Sequence, residues 1–286
     1  MSAARVPVSP EEVSRFAFQF FGGAARAIEL PPVVPASRLA ERPAPATVRT
    51  GIEELDALTG GMPRGALTEI CGPASSGRTS VLLALMAAMT TQAEVCALVD
   101  ATDSFDPKSA EAAGVDLRRL LWVRCSKNMS MVDGRSTTKA AHWAAVGRRP
   151  STLDRLEQAL KATDLLLQGG GFGLVIVDLA DVPPQAARRI PLTSWFRFRR
   201  AVENTRTVLL VIEQEPYAKT CASLVVKLAA ARLQAPGARL QEKQEPAHAR
   251  ILSGLEITAE ILRAATQPKK PVQSAAAFAS KAEWTG

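Results

Sequence analysis

Long hydrophobic runs are missing from this chain, and their absence removes whole classes of protein from consideration. No apolar stretch approaches the ~20 residues needed to cross a bilayer. The first residues also lack the apolar core of a secretory signal. We therefore expect a cytoplasmic protein without a membrane partner.

Cysteine and histidine are both scarce. The two histidines, His142 and His248, are too few to suggest a histidine metal site. No C-x-x-C pair is present, which favours reduced core thiols over disulfides or zinc. The cysteines are Cys71, Cys96, Cys125 and Cys221.

The composition that remains is that of an ordinary globular protein. The 286 residues are 47% hydrophobic and 22% charged, and this length allows one large or two modest domains. The formal net charge is +7 and the pI is about 9.5, which suits a polyanionic partner such as DNA without identifying one.

The most informative stretch is a glycine-rich turn between a predicted strand and a predicted helix. Residues 72–79, GPASSGRT, fit the phosphate-loop pattern G-x-x-x-x-G-K-[ST] except that Arg78 takes the lysine position. Gly72 and Gly77 allow a tight backbone curl, so that consecutive N–H groups face a phosphate at the positive end of a helix. The alternative is a glycine- and serine-rich turn that no longer binds a ligand.

If the loop binds ATP, its residues divide into two roles. Thr79 offers a hydroxyl to Mg²⁺, while Arg78 keeps the charge of lysine on a longer, planar group. We expect binding to tolerate this change better than fast hydrolysis does. The predicted nucleotide-binding residues are Gly72, Pro73, Ala74, Ser75, Ser76, Gly77, Arg78, Thr79 and Ser80.

The remaining chain divides by composition into a core and flanking segments. A serine cap followed by proline and glutamate predicts a helix within residues 1–30, either a lid on the core or a grip for a partner. Residues 31–46 hold five prolines and predict an extended linker. Residues 47–265 form the core, with an insertion or mobile loop at 126–150, and residues 266–286 predict a flexible tail.

Apolar strands alternate with helices through this core, which predicts an α/β fold with a mainly parallel sheet covered on both faces. Helices are predicted near residues 81–89, 108–113, 153–169 and 195–203. The predicted strands lie near residues 66–71, 94–99, 120–123, 174–177, 208–212, 224–233 and 251–261, the last two joined by a polar loop.

Polar residues at the carboxyl ends of these strands are the candidates for chemistry, because ligands of open α/β sheets lie there. Asp178 follows four apolar residues and is interpreted as a magnesium-ordering aspartate, the alternative being an ordinary strand end. Gln214 is a candidate phosphate sensor or a capping side chain. Asp100 and Asp103 lie where a general base is expected, and no glutamate is present in that turn.

Basic residues concentrate on one predicted helix, WFRFRR at 195–200. Trp195, Phe198 and Val202 are predicted to share a face that packs on the sheet. Arg197 and Arg200 fall on another face and are candidates for sequence-independent contacts with a DNA backbone.

Four blocks of sequence, at residues 51–80, 97–123, 174–178 and 207–214, closely resemble the RecA/Rad51 recombinase core. The resemblance covers about residues 47–262 and implies a RecA-like P-loop NTPase core acting in DNA repair or recombination. It also implies that Asp178 is the Walker-B aspartate, and that Gln214 links the nucleotide state to a DNA-binding loop.

The chain departs from the family pattern in ways that affect function. The phosphate-loop lysine is Arg78 and the catalytic glutamate falls at Thr102. Only about ten residues separate Gln214 from the next strand, so the second DNA-binding loop is expected to be short. The carboxy-terminal domain of bacterial RecA has no counterpart.

This divergent pattern is similar to ImuA-type accessory proteins, which imply a role beside error-prone polymerases in the SOS response and translesion synthesis. We therefore expect a weakly hydrolytic ATP-binding accessory protein acting through repair proteins and DNA, with homo-oligomers an open alternative. The rivals are a filament-forming, DNA-dependent ATPase and a scaffold that binds no nucleotide.

Overall fold

The computed structural model describes residues 45–125, 151–234, 254–265 and 274–281. Side chains are described up to residue 230 in the segment that ends at 234, and up to residue 280 in the segment that ends at 281. The predicted N-terminal helix in 1–30, the linker up to residue 44 and the insertion at 126–150 lie outside these residues. In the described part of the chain, no helix combines the length and the apolar character needed to span a bilayer.

An eight-stranded sheet forms the centre of the fold. The described strands are β1 Thr47–Val48, β2 Met62–Pro63, β3 Ala66–Cys71, β4 Cys96–Asp100, β5 Leu120–Arg124, β6 Leu174–Asp178, β7 Val208–Glu213, β8 Leu224–Gln234, β9 Gly254–Ala264 and β10 Ala275–Lys281. The order in the sheet is β10-β9-β8-β3-β7-β6-β4-β5, and a separate antiparallel ribbon joins β1 and β2.

Helices cover both faces of this sheet. The described helices are α1 Glu53–Thr59, α2 Arg78–Thr91, α3 Pro107–Ala112, α4 Thr152–Gly169, α5 Pro184–Ala187 and α6 Leu192–Val202. Side chains from α1 and α2 enter one hydrophobic core, while those from α4 and α6 enter a second core on the opposite face. The predicted parallel α/β architecture with two covered faces is confirmed.

Short-range signals in the sequence explain why several helices begin where they do. Asp106 caps α3 by accepting hydrogen bonds from the amides of Lys108 and Ser109, with proline at the first turn. Ser151 and Asp154 form a capping box at the start of α4. These helix starts are therefore set locally, before any packing against the sheet.

Strand register brings the polar strand ends to one edge of the sheet. Asp100 of β4 is paired in register with Asp178 of β6, and Asp178 with Ile212 of β7. Ile212 is in turn paired with Ile70 of β3, just before the phosphate loop. The carboxyl ends of the four central parallel strands thus define the candidate site.

The carboxy-terminal part of the sheet differs from the sequence prediction. Residues 266–286 were expected to form a flexible tail, but Ala275–Lys281 is strand β10, antiparallel to β9. Phe278 lies buried in the core to which α1 and α2 contribute, and the hydroxyl of Ser280 lies 3.0 Å from that of Ser80. The prediction was wrong there because the alanine-rich strand is stabilised by pairing with β9, which local sequence does not reveal.

All four cysteines are free and buried, as predicted. Burial raises the pKa of the Cys71 and Cys96 thiols to about 12 and that of Cys125 to about 11. They therefore act as small apolar core residues.

Candidate nucleotide site

The predicted phosphate loop connects β3 to the first turn of α2, the context that the motif requires. Gly77 has φ +90°, a left-handed conformation that favours glycine, and it lies against the side chain of Ile257. A Cβ atom on Gly72 would lie 2.3 Å from the carbonyl oxygen of Leu228. Both glycines are therefore required by the local backbone and its close neighbours.

The loop between these glycines presents its outer residues to solvent. Pro73, Ala74 and Ser75 are exposed, and so is Thr79 at the second position of α2. Ser76 is buried, and its hydroxyl has no hydrogen-bond partner among the described residues. An exposed loop at a helix N-terminus, with an unused buried hydroxyl, fits a phosphate ligand.

Arg78 points inward from this loop. Its side chain is only 6% exposed, and Nη1 donates a hydrogen bond of 3.3 Å to the carbonyl of Ala180, just beyond β6. Burial lowers the pKa of Arg78, while the charges of Asp178 and Asp181 oppose that shift. The guanidinium thus lies between the phosphate loop and the end of β6.

Asp178 occupies the end of β6 beside this arginine. It is 7% exposed, and its Oδ1 accepts a hydrogen bond of 2.9 Å from the amide of Ala180. Burial raises the pKa of Asp178 to about 6, with smaller contributions from Asp100 and Asp181, and the charge of Arg78 lowers it. A nearby cation would favour the ionised form.

The residues present fit a magnesium ion held jointly with a nucleotide. Magnesium in nucleotide sites is commonly bound by one or two protein oxygens plus phosphates and water. Thr79 and Asp178 supply that number of ligands. Within the described residues there is no cluster of three or more Asp, Glu, His or Cys side chains placed to hold a metal ion alone.

Gln214 joins the same network from β7. Its Nε2 donates to the carbonyl of Ala180 at 3.0 Å and to that of Val182 at 3.4 Å. The carbonyl of Ala180 therefore accepts hydrogen bonds from both Arg78 and Gln214. One backbone group connects the phosphate loop, the turn after Asp178 and the glutamine.

The turn after β4 contains the expected base position but no available base. Asp100 is buried and accepts hydrogen bonds from the amides of residues 102, 103, 104 and 105 and from Trp122 Nε1, so it organises the turn. Asp103 forms an ion pair with Arg124, with Nη2 to Oδ2 at 2.7 Å. Asp100 thus organises the backbone of this turn, and the candidate base Asp103, paired with Arg124, stays a prediction.

Helix α6 buries its aromatic face and exposes its basic face, as the sequence predicts. Trp195 and Phe198 are fully buried and form an edge-to-face pair with centroids 6.0 Å apart. Arg197 forms an ion pair with Asp164 at 2.8 Å, whereas Arg200 is exposed. Among the described residues Arg200 forms no ion pair, so the two candidate DNA contacts are not equivalent.

Sequence reasoning missed a buried acidic pair, Glu69 in β3 and Glu213 at the end of β7. The signal was present, since Glu69 interrupts the apolar run LTEIC at a position that an ordinary buried strand fills with an apolar residue. The two carboxyls hold the loop that follows Gln214, through the amides of Tyr217 and Ala218.

Comparison with known proteins agrees with this geometry. Residues 40–130 match the family model of the RecA N-terminal domain. A solved structure, the crystal structure of the RadB recombinase, superposes with a TM-score of 0.51 at 16% sequence identity. The match covers 81% of this chain and 94% of that one. At this identity the structural likeness supports the fold alone.

Proposed function

We propose that the chain belongs to the RecA/Rad51-like superfamily and is an ATP-binding accessory protein of DNA repair or recombination, because residues 40–130 match the RecA N-terminal domain. In this proposal residues 72–80 hold the triphosphate, Thr79 and Asp178 hold Mg²⁺, and Gln214 senses the nucleotide. The bound ion would supply positive charge at the outer phosphates.

The observation that carries this proposal is the position of Arg78. Its buried guanidinium reaches Ala180 beside Asp178 and Gln214, so one cation adjoins every element expected to contact the outer phosphates. Arginine can form forked hydrogen bonds with phosphate oxygens, and its charge persists at all physiological pH values.

Weak hydrolysis follows from the turn after β4. Thr102 stands where the family has its catalytic glutamate, and a hydroxyl does not accept a proton from water near neutral pH. Asp103 is committed to Arg124, and Asp100 to the backbone of its own turn. In this proposal the described part of the chain retains groups for binding, while the carboxylates of the turn after β4 are held by other partners and do not act as a base.

Titration with a fluorescent ATP analogue tests binding. We expect a saturable, Mg²⁺-dependent signal that Asp178→Asn weakens by about tenfold or more, because a charged magnesium ligand is lost. Glu203→Gln is the matched control, since Glu203 is an exposed carboxylate that lies between α6 and the amino end of β7, away from the carboxyl ends of the strands. Absence of saturable binding would reject the proposal.

ATP turnover with and without single-stranded DNA separates this proposal from an active, filament-forming recombinase. We expect slow turnover that DNA changes little. Vigorous DNA-stimulated turnover that is lost in Arg78→Ala would favour the recombinase instead.

A second candidate, a scaffold that binds no nucleotide, is favoured by the same arginine contact. Arg78 already donates to Ala180, and a guanidinium fixed there would obstruct the phosphates. Under this alternative Arg78→Ala would create binding where the wild type shows none, so the titration distinguishes the two.

The finer role that we propose is support of an error-prone polymerase during the SOS response. The sequence resemblance to ImuA-type proteins and the net charge of +7 support it. Deleting the gene should reduce damage-induced mutation frequency while leaving homologous recombination frequency unchanged. Loss of recombination with normal mutagenesis would contradict this role.

A further inference from the structure

Two buried carboxyl groups lie behind the nucleotide site without an ion-pair partner. Glu69 and Glu213 are both 0% exposed and lie on neighbouring parallel strands, β3 and β7, on the face that packs against α4 and α6. Within the described residues neither forms an ion pair with a lysine or arginine. Two adjacent buried carboxylates cannot both remain ionised without such compensation.

The hydrogen bonds of the two carboxyl groups occupy one oxygen of each and leave the other oxygen of each able to share a proton. Glu69 Oε1 accepts from the amides of Tyr217 at 2.8 Å and Ala218 at 2.6 Å, and Glu213 Oε1 accepts from the amide of Tyr217 at 3.1 Å. The second oxygen of each carboxyl group is buried and has no donor among the described residues. A proton held between the two carboxyls satisfies both oxygens at once.

The electrostatics agree with this geometry. Burial raises the pKa of Glu213 well above its usual value, and a hydrogen bond with Glu69 and the charge of Glu69 raise it further. The two short amide hydrogen bonds to Glu69 Oε1 stabilise the negative charge that the pair retains.

The position of Glu213 connects this pair to the nucleotide site. Its backbone carbonyl accepts a hydrogen bond of 3.2 Å from the amide of Gly72, the first glycine of the phosphate loop. Its side chain holds Tyr217, three residues beyond Gln214. One residue therefore contacts the start of the phosphate loop through its backbone and the loop at 215–221 through its carboxyl group.

We propose that Glu69 and Glu213 share one proton and act as positioning residues that fix the loop at 215–221, and with it Gln214, against the phosphate loop. The coupling to nucleotide rests on the proposed function, but the shared proton does not. Loss of the proton places two negative charges side by side and releases the loop.

The other groups around the pair do not compete for this titration. Burial raises the pKa of the Cys71 and Cys221 thiols and of the Tyr217 phenol, away from neutral pH. Burial raises the pKa of Asp178 to about 6, but Asp178 lies on the opposite face of the sheet, beside Arg78. The cations that act on the neighbouring Cys71 and Cys221 thiols are Lys227 on β8, Arg78 on α2, Arg199 on α6 and Arg263 on β9. Arg199 donates to the Thr220 carbonyl and Arg263 to that of Lys219.

The pH dependence of stability tests the shared proton. A pKa raised in the folded state means that the folded chain binds the proton more tightly than the unfolded chain, so stability falls as pH rises from about 4.5 toward the folded pKa. In Glu213→Gln the amide keeps a donor for Glu69 and an acceptor for Tyr217 without titrating. We expect the unfolding constant of the wild type, relative to this variant, to rise about tenfold per pH unit above pH 5.5. Parallel pH profiles for the two proteins would overturn the proposal.

A single NMR signal tests the positioning role. Tyr217 is the one tyrosine in the chain, so ¹⁵N-tyrosine labelling of the full-length protein reports a single amide, the one that both carboxyls accept. We expect hydrogen exchange of this amide to be slow at pH 5.5 and to accelerate with pH more steeply in the wild type than in Glu213→Gln. Equal acceleration in both proteins would reject the positioning role.

Glu203→Gln is the matched control, because Glu203 is an exposed carboxylate outside the 215–221 loop. It should behave like the wild type in both measurements. Neither measurement contains nucleotide, so failed nucleotide binding would reject the proposed function and leave the proton pair standing. If nucleotide binds but leaves the Tyr217 signal of the wild type unchanged, the coupling to Gln214 is wrong.

Discussion

The guanidinium of Arg78 donates a hydrogen bond to the carbonyl of Ala180 in the candidate nucleotide site. A lysine at position 78 would replace this planar, forked group with a compact ammonium charge. The same carbonyl accepts from Gln214, so a change at position 78 alters the surroundings of the glutamine directly.

Substitutions at position 78 separate charge from shape. Arg78→Ala should weaken binding of the magnesium nucleotide by roughly 10- to 100-fold, because a charged hydrogen bond contributes about 1.5–3 kcal/mol. Arg78→Lys keeps the charge and should stay within about fivefold of the wild type. The measurement is a fluorescent-nucleotide titration, with Arg189→Ala as the control because Arg189 is an exposed arginine outside the site. An unchanged affinity in Arg78→Ala would mean that Arg78 does not contact phosphate.

Helix α6 shows how one element combines packing with surface charge. Trp195, Phe198 and Val202 recur at helical spacing and enter the core, which fixes the rotation of the helix. That rotation leaves Arg200 exposed and brings Arg197 within hydrogen-bond distance of Asp164 on α4. An arginine already held by a carboxylate binds a phosphate less favourably, because the existing ion pair must first be broken.

We therefore expect Arg200 to contribute more to DNA binding than Arg197. Arg200→Ala should weaken binding to single-stranded DNA and lower the slope of log K against log salt by about 0.7–0.9, the value for one lost phosphate contact. Arg197→Ala should change both quantities less. Fluorescence anisotropy over a range of salt concentrations measures them, with Arg118→Ala as the control because Arg118 is exposed and paired with Asp116. A larger effect at Arg197 would contradict this ranking.

Considered as a whole, the sheet combines a parallel centre with an antiparallel extension. Strands β8, β9 and β10 continue the sheet beyond β3, and Ile257 of β9 packs directly on Gly77 of the phosphate loop. Phe278 of β10 enters the hydrophobic core to which α1 and α2 contribute, and the Ser280 hydroxyl of β10 lies 3.0 Å from that of Ser80 in α2. The carboxy-terminal strands thus support the candidate nucleotide site from one side.

This arrangement predicts a large effect from a residue that the sequence assigns to a flexible tail. Phe278→Ala should lower the free energy of unfolding by about 3 kcal/mol or more, the usual result of removing a buried aromatic side chain. Ala279→Ser is the control, because Ala279 is the exposed neighbour on the same strand. Denaturant unfolding measures both, and equal stability of Phe278→Ala and the wild type would show that β10 does not pack as described.

The sequence alone determined the parts of this protein that depend on neighbouring residues. The apolar runs of β6 and β7 and the glycine spacing between β3 and α2 each act over fewer than about ten residues. The two strands and the strand–turn–helix order around the glycines were therefore predicted correctly. The caps of α3 and α4 act over the same range, although they were not predicted. The strand ends that carry Asp178 and Gln214 followed from the same runs.

Tertiary structure decided what depends on residues distant in the chain. The pairing of β10 with β9, the ion pair of Arg197 with Asp164, and the buried pair of Glu69 and Glu213 each join segments that the sequence does not show to be neighbours. The contact of Arg78 with Ala180 belongs to the same class, since the two residues lie about a hundred positions apart. Local sequence patterns determine which charged and hydrogen-bonding groups lie at the strand ends and on the helices. Only the folded sheet brings these groups within hydrogen-bond distance of one another, because its strand order differs from the order of the strands in the chain.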